Sequence, residues 1–286
     1  MNWFFTFPFK LQWNPNSIDT VIRNFSIDNK LFFDGIKIFL TQMITLVHSI
    51  ISFVPWWIYL VVVFVLSYLI KRNWRTGLLY AGMLSLIGFF GLWELMMITL
   101  SIVLTSVFLS LVFGFPMGIL MSFSERANNI LRPVLDTMQT MPVFVYLIPA
   151  VMFFGLGKAP AVLATTIYAI VPIIRLTNLG IRQVDIEVVE AARAFGSTNL
   201  QTMIKVQIPQ AKPTIMAGLN QTLMMAMAMV VTCSMIGASG LGMEVLISVN
   251  RIEMGRGLVS GLAVVIVAVI LDRLSQSLAK DKEQTQ

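Results

Sequence analysis

The chain has 286 residues, 57% of them hydrophobic and 12% charged, with a formal net charge of +6 and a mean hydropathy of +0.82. Soluble domains carry roughly 25% charged residues, so a water-soluble globule is excluded and lipid is the solvent for most of the surface. Nucleic-acid binding is excluded as the meaning of the positive charge, because Lys and Arg gather in short segments between apolar runs, as the positive-inside rule expects.

The N-terminal stretch Met1–Lys10 has no basic region ahead of an apolar run, so no cleaved signal peptide is expected. Further on, Asp34, Lys37, Thr41, Thr45, His48 and Ser52 recur at spacings of three and four, with Ile36, Phe39, Leu40, Met43, Ile44, Val47, Ile50 and Ile51 on the other face. This pattern predicts an amphipathic helix along the outer membrane surface, with His48 on its solvated stripe. Seven apolar stretches follow as candidate spans: Pro55–Ile70, Gly77–Trp93, Leu95–Phe123, Thr137–Leu156, Ala159–Ile174, Thr214–Ile236 and Leu258–Leu271. Several are shorter than the ~20 residues a span needs.

Charge between the spans sets an orientation. Lys71, Arg72, Arg75, Arg126, Arg132, Arg175, Arg182, Arg193, Lys205, Lys212, Arg273, Lys280 and Lys282 fall on one side if the spans alternate. That side is expected to be cytoplasmic, which puts the N-terminus outside and the C-terminus inside. The other side carries Glu94, Lys158, Arg251, Glu253 and Arg256. The expected organisation is an extracytoplasmic segment at 1–55, accessory spans at 56–93, a membrane core at 94–275 with a cytoplasmic loop at 181–213, and a cytoplasmic tail at 276–286.

None of the seven stretches contains Asp, Glu, Lys, Arg or His; Asp136 comes closest, at the inner edge of the fourth. Ion-coupled carriers keep such groups inside the membrane, so energy for transport is expected from another subunit. Sodium sites built from carbonyls and hydroxyls remain open. Gly155-Leu156-Gly157-Lys158 lacks the spacing of a phosphate loop, and Gly237-Ala238-Ser239-Gly240-Leu241-Gly242 has no preceding strand to make it a dinucleotide site. With one Cys, the buried-type Cys233, and one His, no metal centre and no catalytic set can be assembled.

The longest internal polar segment, Arg175 to Pro213, divides into a short helix, a glycine break and a second short helix closed by Pro209 and Pro213. Val188, Ala191, Ala192 and Phe195 share one face of the first helix. Gly196 can end it, and Ser197 or Thr198 can cap the next. Periodicity alone leaves two readings open: an amphipathic helix resting on its own bundle, or a knob whose apolar stripe a partner covers. Between the third and fifth spans, Pro142 and Pro149 bend a helix whose Gln139, Thr140, Met141 and Tyr146 either satisfy freed backbone groups or line a wet passage. The two readings are compatible.

Glu190-Ala191-Ala192, then Gly196, then Val206-Gln207-Ile208-Pro209 resembles the E-A-A, three residues, G, nine residues, I-x-L-P loop of ATP-binding-cassette importer permeases. The spacing matches throughout. Leu135–Pro149, Ile236–Gly242 and Ala263–Ala268 are similar to the corresponding stretches of the glycine betaine/proline betaine class, and the likeness runs from about Leu95 to the C-terminus. The resemblance implies an all-α type I ABC importer permease (MetI-like) fold of about seven transmembrane helices, paired with a second copy. It implies that Glu190, Ala191, Ala192, Phe195, Gly196 and Pro209 dock an ATPase subunit. That subunit holds ATP and Mg, so this chain carries no cofactor of its own. A separate extracytoplasmic binding protein delivers a quaternary ammonium osmolyte, with choline, carnitine, proline or another small amino-acid-like solute as alternative cargoes.

Overall fold

The computed structural model describes residues 15–280; Met1–Lys10 and the tail from 281 onward lie outside the described residues. Every regular element among them is helical. α1 (Pro15–Asp28) and α2 (Lys30–Phe53) lead into a hairpin of two 16-residue helices, α3 (Trp56–Lys71) and α4 (Trp74–Phe89). The 31-residue α5 (Trp93–Phe123) is followed by α6 (Glu125–Thr140), α7 (Phe144–Phe154) and α8 (Lys158–Arg182). Next come the short α9 (Ile186–Ala194) and α10 (Asn199–Thr202), a π-helical turn at Met203–Gln207, and α11 (Ile208–Thr232). A 3₁₀ turn (Cys233–Ile236), α12 (Leu241–Arg251) and α13 (Met254–Lys280) complete the chain.

The centre of the bundle is α5 packed along α8, and α8 along α11. In lipid, helices gain little from apolar burial against one another and associate through close backbone approach and interhelical hydrogen bonds. Both devices are present. A Cβ at Gly114 would lie 2.6 Å from Ile173 Cγ2, and one at Gly118 would lie 2.6 Å from Thr177 Cβ. The four-residue spacing of these glycines therefore brings α8 against the α5 backbone. Buried hydroxyls join the same pair, with Ser106 and Ser110 donating to the Val162 and Thr166 carbonyls at 3.4 and 3.2 Å.

The span count differs from the seven stretches of the sequence. Five described helical runs are long and apolar enough to cross a membrane, and a sixth results if α6 and α7 are counted as one broken span. α3 and α4, at 16 residues each, reach only about 24 Å at the α-helical rise, against a hydrocarbon core of about 30 Å. The fourth stretch, Thr137–Leu156, is not one straight helix: α6 and α7 meet at 96°.

Two further boundaries moved. Pro209 and Pro213 do not separate the internal loop from the sixth span, because the helical run continues from Asn199 to Ile236. Pro209 lies inside this continuous run, near the start of α11, where its missing N–H leaves one helical carbonyl without a donor, and the Ile208 N–H just before it donates back to the Met203 carbonyl in the π register. The amphipathic helix of the N-terminal region is α2. It packs on α5, α7 and α8, burying Leu40 and Ile44, and it counts among the five long apolar helices. His48 is not merely solvated: its Nε2 lies 3.5 Å from Glu94 Oε1 on α5.

Candidate functional site

Two places carry polar chemistry. The first is the knuckle formed by α9 and its turn. Asp185 starts α9 by accepting from the Glu187 N–H at 2.9 Å. The helix ends at Gly196, with φ +82. The Gly196 N–H donates to Arg193 O at 2.8 Å and the Ser197 N–H to Ala192 O at 3.2 Å, the paired bonds of a Schellman turn. A Cβ on Gly196 would meet nothing within 4 Å, so the left-handed backbone, not crowding, calls for glycine there. Thr198 and Gln201 then form a reciprocal capping box at the start of α10, as anticipated for Thr198.

The face predicted from periodicity is partly right. Val189 is the inward anchor at 4% exposure, which the Val188, Ala191, Ala192, Phe195 pattern missed. Phe195 stands 93% exposed, and Ile186, Val188, Leu200 and Ile204 are exposed with it. Glu190 and Ala191 are exposed, Ala192 is half-buried, and Pro209 is exposed at the foot of α11. The helix therefore rests on the bundle through Val189, while Ile186, Val188 and Phe195 stay uncovered by the subunit itself.

The second place is the break between α6 and α7. Pro142 has no N–H, so the Met138 carbonyl four residues earlier loses its helical donor. The Tyr146 hydroxyl donates to that carbonyl instead. Tyr146 is buried, and its ring meets Tyr168 of α8 edge-on at 6.0 Å. Of the other residues singled out here, Met141 is half-buried, while Gln139 and Thr140 are exposed; the Thr140 hydroxyl returns to the Thr137 carbonyl at 3.0 Å. Tyr146 and Met141 thus pack together, and Gln139 and Thr140 face outward.

α6 is tied to the C-terminal half of α8 by a polar ladder. Arg182 donates to Glu125 at 2.6 Å, Asn178 to Asn128 at 3.0 Å, and Arg175 to both Gln139, at 2.8 Å, and Asp136. Sequence spacing could not pair Arg175 with Asp136, because the residues are 39 apart and meet only through the helix break. Another polar cluster joins α11 to α13: Asp272 accepts from Asn220 at 2.9 Å and from Gln276 at 2.8 Å.

A family described as binding-protein-dependent transport system inner membrane components matches residues 110–283. The chain belongs to that family. The permease is 47% identical over 252 residues to the glycine betaine/carnitine transport permease protein GbuB of Listeria monocytogenes, covering 87% of this chain and 89% of that one. It is 43% identical over 271 residues to the glycine betaine/proline betaine transport system permease protein ProW of Escherichia coli, covering 94% and 75%. It is 44% identical over 252 residues to the glycine betaine transport system permease protein OpuAB of Bacillus subtilis, covering 88% and 89%. Among solved structures, an inward-facing methionine ABC transporter aligns with a TM-score of 0.60 at 20% identity, covering 64% of this chain and 91% of that chain. At that identity the match establishes the permease fold and nothing about cargo. The fold and family together make the chain a multi-pass membrane subunit that works with an ATPase and a substrate-binding protein.

Proposed function

We propose that this permease imports glycine betaine or a closely related quaternary ammonium osmolyte across the plasma membrane, using ATP hydrolysed by a separate subunit. Three permeases 43%, 44% and 47% identical to it carry glycine betaine in their names. Two copies enclose one pathway, an external binding protein delivers the solute, and the ATPase holds ATP and Mg. The N-terminus lies outside and the C-terminus in the cytoplasm on the strength of the Lys and Arg distribution, an orientation that requires α3 and α4 each to cross the membrane and α2 to lie along its outer face.

The observation that carries the coupling step is the uncovered knuckle. A Phe side chain 93% exposed, on a helix whose end is fixed by the Gly196 turn, is a rigid apolar projection of the sort that anchors an interface. Glu190 beside it supplies a polar contact. Closure of the ATPases around this knuckle would push α9, and with it α8 and the continuous helical run that begins at Asn199, so that the nucleotide cycle moves the pathway helices.

The test is reconstitution of the permease with its ATPase and binding protein in vesicles. Labelled glycine betaine should accumulate only with ATP and both partners present. Accumulation by the permease alone, without nucleotide, would overturn the coupling scheme, and ATP-driven uptake that ignores glycine betaine would overturn the cargo.

A further inference from the structure

We propose that Arg175 and Asp136 form a zwitterion-exchange site: a solute bearing a carboxylate and a quaternary ammonium displaces this ion pair, placing its carboxylate on Arg175 and its cation on Asp136. The inference rests on the transport reading and names the step at which the permease itself contacts the solute.

The geometry is that of a pair open to competition. Arg175 reaches from α8 to the last turns of α6, where its guanidinium donates to Asp136 and, at 2.8 Å, to Gln139. The two charged side chains are 34% and 58% exposed. An ion pair this accessible is weakly held in its own right and readily exchanged. It sits beside the break at 141–143, where the α6–α7 helix turns through 96°. From Lys158 to Arg175 along α8 no other charged side chain occurs.

Charge conservation selects the class of solute. An anion taken by Arg175 alone would leave the Asp136 carboxylate without its cation, and a cation taken by Asp136 would leave the guanidinium without its anion. A zwitterion satisfies both partners at once and adds no net charge to the site. Arg175 offers a forked donor suited to two-point carboxylate binding. Gln139 keeps Arg175 hydrogen-bonded while Asp136 is exchanged.

Saturation-transfer NMR on the permease–ATPase complex in nanodiscs, without binding protein, tests this directly. The probes are glycine betaine and choline, which share a trimethylammonium group and differ in the carboxylate. Transfer to the betaine methyl protons should exceed transfer to choline and fall roughly tenfold in Arg175→Gln and in Asp136→Asn, as expected for loss of a charge-assisted contact. The double exchange Asp136→Arg with Arg175→Asp should restore it, which also guards against a single variant that fails to fold. Equal transfer to both probes, or undiminished betaine transfer in both single variants, overturns the site. A wild-type complex that imports glycine betaine yet shows no transfer removes the exchange site alone; one that imports none removes the transport reading with it.

Discussion

The Tyr146 hydroxyl serves the Met138 carbonyl, the acceptor that Pro142 strands when it enters the helix without an N–H. The bend at 141–143 is thereby closed by a side chain eight residues from its acceptor. A helix broken inside a membrane persists only where freed backbone groups find such partners. Tyr146→Phe keeps the ring against Tyr168 and removes the donor. Leaving a partly buried carbonyl unpaired costs about 1–3 kcal/mol. The purified permease should therefore unfold at a lower temperature, with the bend as the first segment to become protease-sensitive. An unchanged midpoint would mean that Met138 has another donor.

The α5–α8 seam makes a sharper prediction. A Cβ at Gly118 would come within 2.6 Å of Thr177 Cβ and 2.7 Å of the Ile174 carbonyl oxygen, and neither atom sits at the end of a flexible side chain. Gly118→Ala should overpack the seam and cost about 1–3 kcal/mol. Gly261→Ala is the internal control: nothing lies within 4 Å of its added methyl, and alanine favours helix over glycine by up to about 1 kcal/mol. Thermal midpoints of the two variants should move in opposite directions.

The α11–α13 clasp bears on the same question of polar glue. Asn220→Leu removes the donor held at 2.9 Å from Asp272 and leaves the carboxylate with Gln276 at 2.8 Å and Arg273 at 4.0 Å. Interhelical hydrogen bonds of this kind contribute on the order of 1 kcal/mol. The expected result is a modest fall in the midpoint, and Asp272→Asn should cost less in the Asn220→Leu chain than in wild type, because the contact it would remove is already gone. Additive losses in the double variant would show that the two residues do not act on one another.

How much of this was legible beforehand follows from range. Apolar runs, the Gly196 stop and the Thr198 cap are local, and the sequence shows them. The 96° turn was half legible: Pro142 marks it, but the run Thr137–Leu156 looks continuous because both arms are apolar enough to extend it. The count of seven is not reproduced among the described residues, because α3 and α4 have only 16 residues each. The Asp34-to-Ser52 stripe makes the amphipathic character of α2 legible, whereas the burial of Leu40 and Ile44 and the approach of Glu94 to His48 depend on helices far along the chain. The Arg175–Asp136 pair was invisible for the same reason. Both residues looked like ordinary inner-edge charges, and only the helix break puts them face to face.

The knuckle yields the prediction with the cleanest separation of stability from function. Phe195 is 93% exposed and contributes little packing within the subunit, so Phe195→Asp should change stability by no more than about 0.5 kcal/mol and leave the thermal midpoint essentially unmoved. If Phe195 anchors the ATPase, the same change removes an interface contact worth about 2 kcal/mol or more, which corresponds to at least a roughly thirtyfold weaker association. Glu190→Lys, which reverses the neighbouring charge, should weaken docking without unfolding the chain. Gly196→Ala acts differently. Its methyl meets no neighbour, but the left-handed backbone costs about 1–2 kcal/mol in any residue with a Cβ, so α9 should be displaced or frayed. The measurement is ATPase co-purification with each membrane-inserted variant, alongside glycine betaine uptake in vesicles. Loss of both in Phe195→Asp and Glu190→Lys, at unchanged midpoints, is the expected outcome. Retention of ATPase binding and uptake in both variants would show that the exposed apolar knuckle is not where the nucleotide-driven stroke enters the membrane helices.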